Sequence, residues 1–315
     1  MRYLLLTCLF CTGVMTQMRI FFSIIILLCG LTAFAQEKKI PAGAAGNQLR
    51  YGLELIANTA VYLGPKGKVA HLTNGMNCQN CHNYGGTKAF GLSLKATAAN
   101  YPKFMTRTNE VLSIAGRING CMQRSLNGKT MDTTSREMKA MIAYIKWLGK
   151  GVPKGQKPAG SGVLKLTYMN KAADPLKGKL VFIKKCQVCH GADGQGQMTA
   201  DKIAYTFPPL WGSHSYNDGA GMYRVSNFAA FVKSNMPFGT TYKNPQLTDE
   251  EAWNVAAFVN SQPRPHFDQS ADWHNIAKKP IDYPFAPYAD KFSERQHKFG
   301  PYQPIVNAQK SATKK

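Results

Sequence analysis

The pentapeptide Cys-x-x-Cys-His occurs twice, as Cys78-Gln79-Asn80-Cys81-His82 and as Cys186-Gln187-Val188-Cys189-His190, and no other feature restricts this chain so far. Two thiols three positions apart reach the two vinyl groups on one edge of a porphyrin, and the adjacent imidazole turns beneath the ring as an iron ligand. The spacing predicts two covalent c-type haems, one on Cys78 and Cys81 and one on Cys186 and Cys189, with His82 and His190 as axial ligands. A bare Cys-x-x-Cys also suits zinc or a redox dithiol, but the following histidine and the repetition speak against both. Each iron keeps one more position for the fold to fill.

The N-terminus reads as an export leader over residues 1–35, with Met18 as an alternative start. Arg19, the apolar run from Ile20 to Leu28 and the small-residue site Ala33-Phe34-Ala35 stand in the order of a cleavable signal, which puts the protein in the periplasm. The apolar run is short for a membrane span, so no integral membrane protein is expected. Removing Arg2 and Arg19 with the leader leaves 37 Lys and Arg against 17 Asp and Glu, a formal +20. Such a surface attracts small anions or an acidic redox partner. Export and the lack of a nucleic-acid motif set nucleic acid aside. The leader also removes Cys8, Cys11 and Cys29, and the haem motifs use four more thiols, leaving Cys121 unpaired. Its fates are a buried hydrophobe, a metal ligand or a reactive group.

The motifs divide the chain into matching halves, residues 36–150 and 163–262, around a Gly, Pro and Lys-rich linker at 151–162. Each half opens and closes with a helix. The first pair is expected around Leu49–Ala60 and Ser135–Leu148. The second is expected from Asp174-Pro175 into Cys186, and from Thr248 to the stop at Pro263. Helices flanking a haem motif resemble the class I cytochrome c fold, so the expected class is mainly α, two such domains in tandem. Residues 263–315, Pro- and aromatic-rich without helical period, read as an extended arm on the domain surface, loose only from Ala308.

For the second haem the distal candidate is Met236, in Asn235-Met236-Pro237, with Met222 as rival and His214 and Lys233 as outsiders. Phe207-Pro208-Pro209-Leu210 is placed to offer a backbone carbonyl to the free nitrogen of His190. The first half offers Met105, Met122, Met131, His71 and Cys121. Basic residues and glycines crowd Cys121, which lowers its pKa and makes it a ligand, a nucleophile or both.

Arg117-Ile118-Asn119-Gly120-Cys121-Met122 with Arg124-Ser125-Leu126-Asn127-Gly128 resembles the active-site segment of the tetrathionate-forming thiosulfate dehydrogenase family, dihaem cytochromes c that couple two thiosulfates and in some cases run the reverse. The similarity extends through both haem motifs, Phe207 to Gly212, Asn217 to Met222 and Asn235-Met236-Pro237. It implies His and Cys ligands at the first iron and His and Met at the second, Cys121 as catalytic thiolate, and an anion pocket of Arg117, Ser125 and Arg107. Some members place a competing Lys at the second iron; here Asn235 stands before Met236. Electrons would leave for a small redox protein such as another cytochrome c. The other readings are a non-catalytic dihaem electron carrier and a sulfur-oxidation cytochrome that conjugates thiosulfate to a protein cysteine.

Overall fold

The computed structural model describes residues 39–313, so the leader, its alternative start and the cleavage site before Gln36 lie outside the described residues. From Pro41 onward the chain forms one compact unit. It is mainly helical, with two short antiparallel sheets, β1 (Lys103–Met105) with β2 (Glu110–Leu112) and β3 (Gln197–Met198) with β4 (Tyr205–Phe207). Among the described residues, no helix is long and apolar enough to cross a membrane.

The first half is built on α1 (Gly43–Ala57), α2 (Ile114–Arg124) and α3 (Arg136–Leu148). The second uses α4 (Pro175–Lys185), α5 (Val225–Asn235) and α6 (Asp249–Ser261). The starts follow capping chemistry visible in the sequence. Ser135 caps α3 by accepting from the Met138 amide, Asp174 accepts from Leu176 and Lys177 at the head of α4, and Thr248 and Glu251 form a reciprocal box on α6. The apolar stripe of α3, Met138, Met141, Tyr144, Ile145 and Leu148, is buried as its spacing requires.

Both halves pack opening helix on closing helix through one glycine. A Cβ on Gly52 of α1 would lie 2.2 Å from the Ala140 carbonyl of α3, and one on Gly178 of α4 would lie 1.9 Å from the Asn254 carbonyl of α6. Neither backbone carbonyl can swing aside. Gly178→Ala is therefore expected to lower stability by about 1–3 kcal/mol through overpacking, read as a lower thermal midpoint, although alanine is the better helix former. An unchanged midpoint would show that the crossing tolerates separation.

The C-terminal segment departs from expectation in its last third. Residues 263–293 are irregular apart from one short turn at Ile276–Lys278, but α7 (Glu294–Phe299) and α8 (Gln303–Thr313) follow, so the described part of the stretch from Ala308, residues 308–313, is helical rather than loose. Pro304 hid this helix: proline falls in its first turn, where no intrahelical N–H is needed. Nor is the segment merely superficial. Tyr302 and Ile305 are fully buried, with Tyr302 against Trp253 and Tyr168 at ring distances of 5.7 and 5.2 Å. Asp282, also buried, bonds Arg224 and Ser226.

Candidate haem and anion site

A cavity of about 850 Å³ runs past both pentapeptides and is lined by Cys78, Cys81, Cys186 and Cys189 together. None of the four is joined in a disulfide. Among the described residues no three His, Cys, Asp or Glu side chains converge as a metal cluster, so neither pair is arranged for zinc. The thiols lie where haem vinyl groups would meet them, along a mainly apolar wall.

Backbone carbonyls orient both histidines. His190 donates from Nδ1 to the Pro208 carbonyl at 2.8 Å, within the segment that the sequence marked for this role. His82 donates from Nδ1 to the Leu92 carbonyl at 2.6 Å. In both rings this leaves Nε2 for iron, the arrangement that fixes a ligating tautomer. Leu92 escapes sequence reasoning because its contribution is a main-chain oxygen. Its amide in turn donates to the Gly162 carbonyl, so the 151–162 segment helps to hold the loop beneath His82.

Of the first-half ligand candidates, only Cys121 meets the cavity beside His82. Met122 and Met131 are buried in the core, His71 is exposed, and the Met105 sulfur accepts from the Tyr101 hydroxyl at 3.8 Å. Helix α2 explains the grouping around Cys121. Its start is capped by Ser113, and Arg117, Cys121 and Ser125 follow at four-residue intervals along one face, all three lining the cavity. Ser125 also closes the helix, its amide donating to the Cys121 carbonyl at 2.7 Å.

The electrostatics separate Cys121 from the attachment thiols. Burial pushes Cys78 and Cys186 up to about 11 and Cys81 to about 12. Burial also pushes Cys121 up, but the Arg117 charge foremost, with His82 beside the thiol and the charge of Arg107, outweighs it and holds the thiol at about 6. Of the basic residues adjacent in sequence, only Arg117 has this part. Arg124 is committed to Asp272 through two bonds of 2.8 Å, and Lys129 is exposed. Arg107 arrives instead from the turn between β1 and β2 and does not line the cavity. Tyr101, missed in the sequence, does line it and lies in the field of Arg117, Cys121 and Arg107.

At the second motif, Met236 and Met222 both border the cavity. The outsiders are removed: Lys233 donates to the Leu247 carbonyl at 2.6 Å and pairs with Asp249 at 2.7 Å, and His214 is exposed.

Comparison with known proteins matches these halves to two described domains. Residues 68–153 fit the SoxA/TsdA cytochrome c domain and residues 176–263 the cytochrome c domain. Thiosulfate dehydrogenase of Stutzerimonas stutzeri is 40% identical over 230 residues, covering 73% of this chain and 72% of that protein. The chain belongs to the thiosulfate dehydrogenase family. The Allochromatium vinosum member is 35% identical over 259 residues, 78% of this chain and 92% of the relative. The solved thiosulfate dehydrogenase (TsdBA) of Marichromatium purpuratum, in its as-isolated form, superposes with a TM-score of 0.66 at 33% identity over 73% of this chain. The match spans 49% of that longer protein. As a family member with two cytochrome c domains in tandem, the chain carries two covalently bound haem c groups, which the four thiols and two oriented histidines fit.

Proposed function

We propose that this protein is a periplasmic thiosulfate dehydrogenase that joins two thiosulfates into tetrathionate, with Cys121 as both distal ligand of the first haem and nucleophile. The observation that carries the reading is the placement of Cys121 on the cavity wall beside His82, with Arg117 one turn before it and Ser125 one turn after it on the same helix face. Thiosulfate is a dianion with a soft terminal sulfur. A thiolate meets that sulfur, the Arg117 guanidinium and the Ser125 hydroxyl meet the oxygens, and Arg107 adds its positive charge from outside the cavity lining.

In this reading the Cys121 thiolate and one thiosulfate form a sulfur–sulfur bond, giving a cysteine S-thiosulfonate and releasing two electrons. The terminal sulfur of a second thiosulfate attacks the sulfane sulfur joined to Cys121 Sγ, the Sγ–S bond breaks, tetrathionate leaves, and the thiolate returns. Charge balances, since two dianions become one dianion and two electrons. The bound haems supply one-electron acceptance for each of the two. Arg117 keeps the cysteine anionic and offsets the repulsion between the two substrates. Met236 is assigned as distal ligand of the second haem, from which electrons pass to a small redox protein. The same adduct serves the reverse reaction.

Stopped-flow mixing of oxidised protein with thiosulfate tests this directly. Both haems are expected to be reduced, with one tetrathionate formed per two thiosulfates. Haems that stay oxidised with thiosulfate but accept electrons from a reduced cytochrome would overturn it in favour of a carrier. Thiosulfate bound to a protein cysteine, with no free tetrathionate, would favour the conjugating reading.

A further inference from the structure

The segment after α6 reaches the first-haem site through one buried carboxylate. Asp272, 3% exposed, takes both Arg124 Nη atoms at 2.8 Å, and Arg107 Nε lies 4.0 Å from the same carboxylate. The Gly219 carbonyl accepts from Arg124 and Arg107 at 3.4 Å each, and Phe267 lies under the Arg124 guanidinium at 4.2 Å. The next residue of the arm completes the hold: the Trp273 amide donates to the Arg107 carbonyl at 2.7 Å. The arm is itself fastened upstream by Asp218, which accepts from the Phe267 amide and pairs with His266, each at 2.8 Å.

We propose that Asp272 is a positioning residue for the anion pocket, and that the C-terminal arm thereby completes the catalytic site. The inference rests on the proposed thiosulfate reading. Its physical basis is an unequal sharing. Arg124 saturates the carboxylate with a two-pronged pair, so Arg107 is held by its backbone, by a 4.0 Å contact from Nε to Asp272 and by one long bond from Nη1 to the Gly219 carbonyl, without a two-pronged partner of its own. Two guanidinium charges, those of Arg107 and Arg117, then act on Cys121, and Asp272 touches only the first of them, at 4.0 Å. Loss of Asp272 would free Arg124 to compete for the anion and let Arg107 swing from its place.

The test separates positioning from charge. Asp272→Asn makes the pocket more positive, so an effect of charge alone would lower the KM for thiosulfate. Positioning requires the opposite, a KM about tenfold higher with kcat changed much less. Asp272→Glu, which keeps the charge, is the second variant should the first fail to fold, and is expected to give an intermediate KM. A double-mutant cycle with Arg107→Gln adds a readout that general destabilisation would not move. If Asp272 acts through Arg107, the two changes together raise KM little beyond Arg107→Gln alone. Binding without turnover is read as the dissociation constant of thiosulfate in a Cys121→Ala background, where Asp272→Asn is again expected to weaken it. Unchanged or lowered KM in the Asp272 variants, or full additivity in the cycle, would overturn the proposal while leaving thiosulfate oxidation intact. Failure of the wild-type protein to oxidise thiosulfate would overturn both.

Discussion

Cys121→Ala is expected to abolish thiosulfate oxidation, by about a thousandfold or more, while both haems stay attached. The two halves of this expectation rest on different residues. Attachment uses Cys78, Cys81, Cys186 and Cys189, none of which touches the sequence of α2. Turnover depends on a thiolate that Arg117 and Arg107 hold anionic and that no neighbouring side chain can replace. Ser125, one turn further on, carries a hydroxyl too weakly acidic to serve as the nucleophile. Cys121 is half-buried, so trimming it to alanine removes one sulfur from a helix whose capping and packing residues remain, at a cost of about 1 kcal/mol. Mass spectrometry of the intact chain reads the two haems, and the tetrathionate assay reads turnover. The visible spectrum of the first haem should change as its thiolate ligand disappears. Wild-type activity with an altered spectrum would leave Cys121 a ligand and remove it from the chemistry.

That this site could be read from the sequence at all depends on which atoms carry it. Side chains with distinctive chemistry at fixed spacing announce themselves, so the pentapeptides and the basic setting of Cys121 were visible, whereas Arg117 and Ser125 were singled out only by the family resemblance. The helix starts at Ser135, Asp174 and Thr248 were visible for the same reason, because capping is local. What stayed hidden came by main-chain oxygens or from far along the chain. Leu92 orients His82 through a carbonyl, which residue identity does not encode, whereas Pro208 could be found only because a proline-rich segment stood at the right distance after His190. Asp272 is 148 residues from Arg124 and sits in a stretch without periodicity. Local sequence suggested instead that Arg124 and Lys129 would act on Cys121. Long-range packing reassigned the first to the arm and left the second in solvent.

Met236 and Met222 are separated by their surroundings, and this sets the second large effect. Met222 is 7% exposed, belongs to the core cluster with Phe228 and Trp253, and its carbonyl accepts from Asn260 at 3.0 Å. It packs into that core while bordering the cavity. Met236 is only partly buried, at the end of α5, and the residue before it is fixed: the Asn235 amide donates to the Phe90 and Phe231 carbonyls at 3.0 and 2.9 Å, and its oxygen accepts from Asn83, the neighbour of His82. A thioether is a weak ligand that needs its backbone held in place, and this anchoring supplies that hold. Met236→Leu is therefore expected to lower the potential of the second haem on the order of a hundred millivolts, within the roughly 0.8 V that axial ligands span, and to slow turnover if electrons leave by that haem as proposed. Met222→Leu preserves core volume and should cost less than about 1.5 kcal/mol, with the potential little moved. A spectroelectrochemical titration of both variants reads the difference. If Met222→Leu carries the large fall and Met236→Leu does not, the distal ligand belongs to the Gly221–Tyr223 turn, and the anchoring of Asn235 serves only to join the loop before Met236 to the loop beneath the first haem.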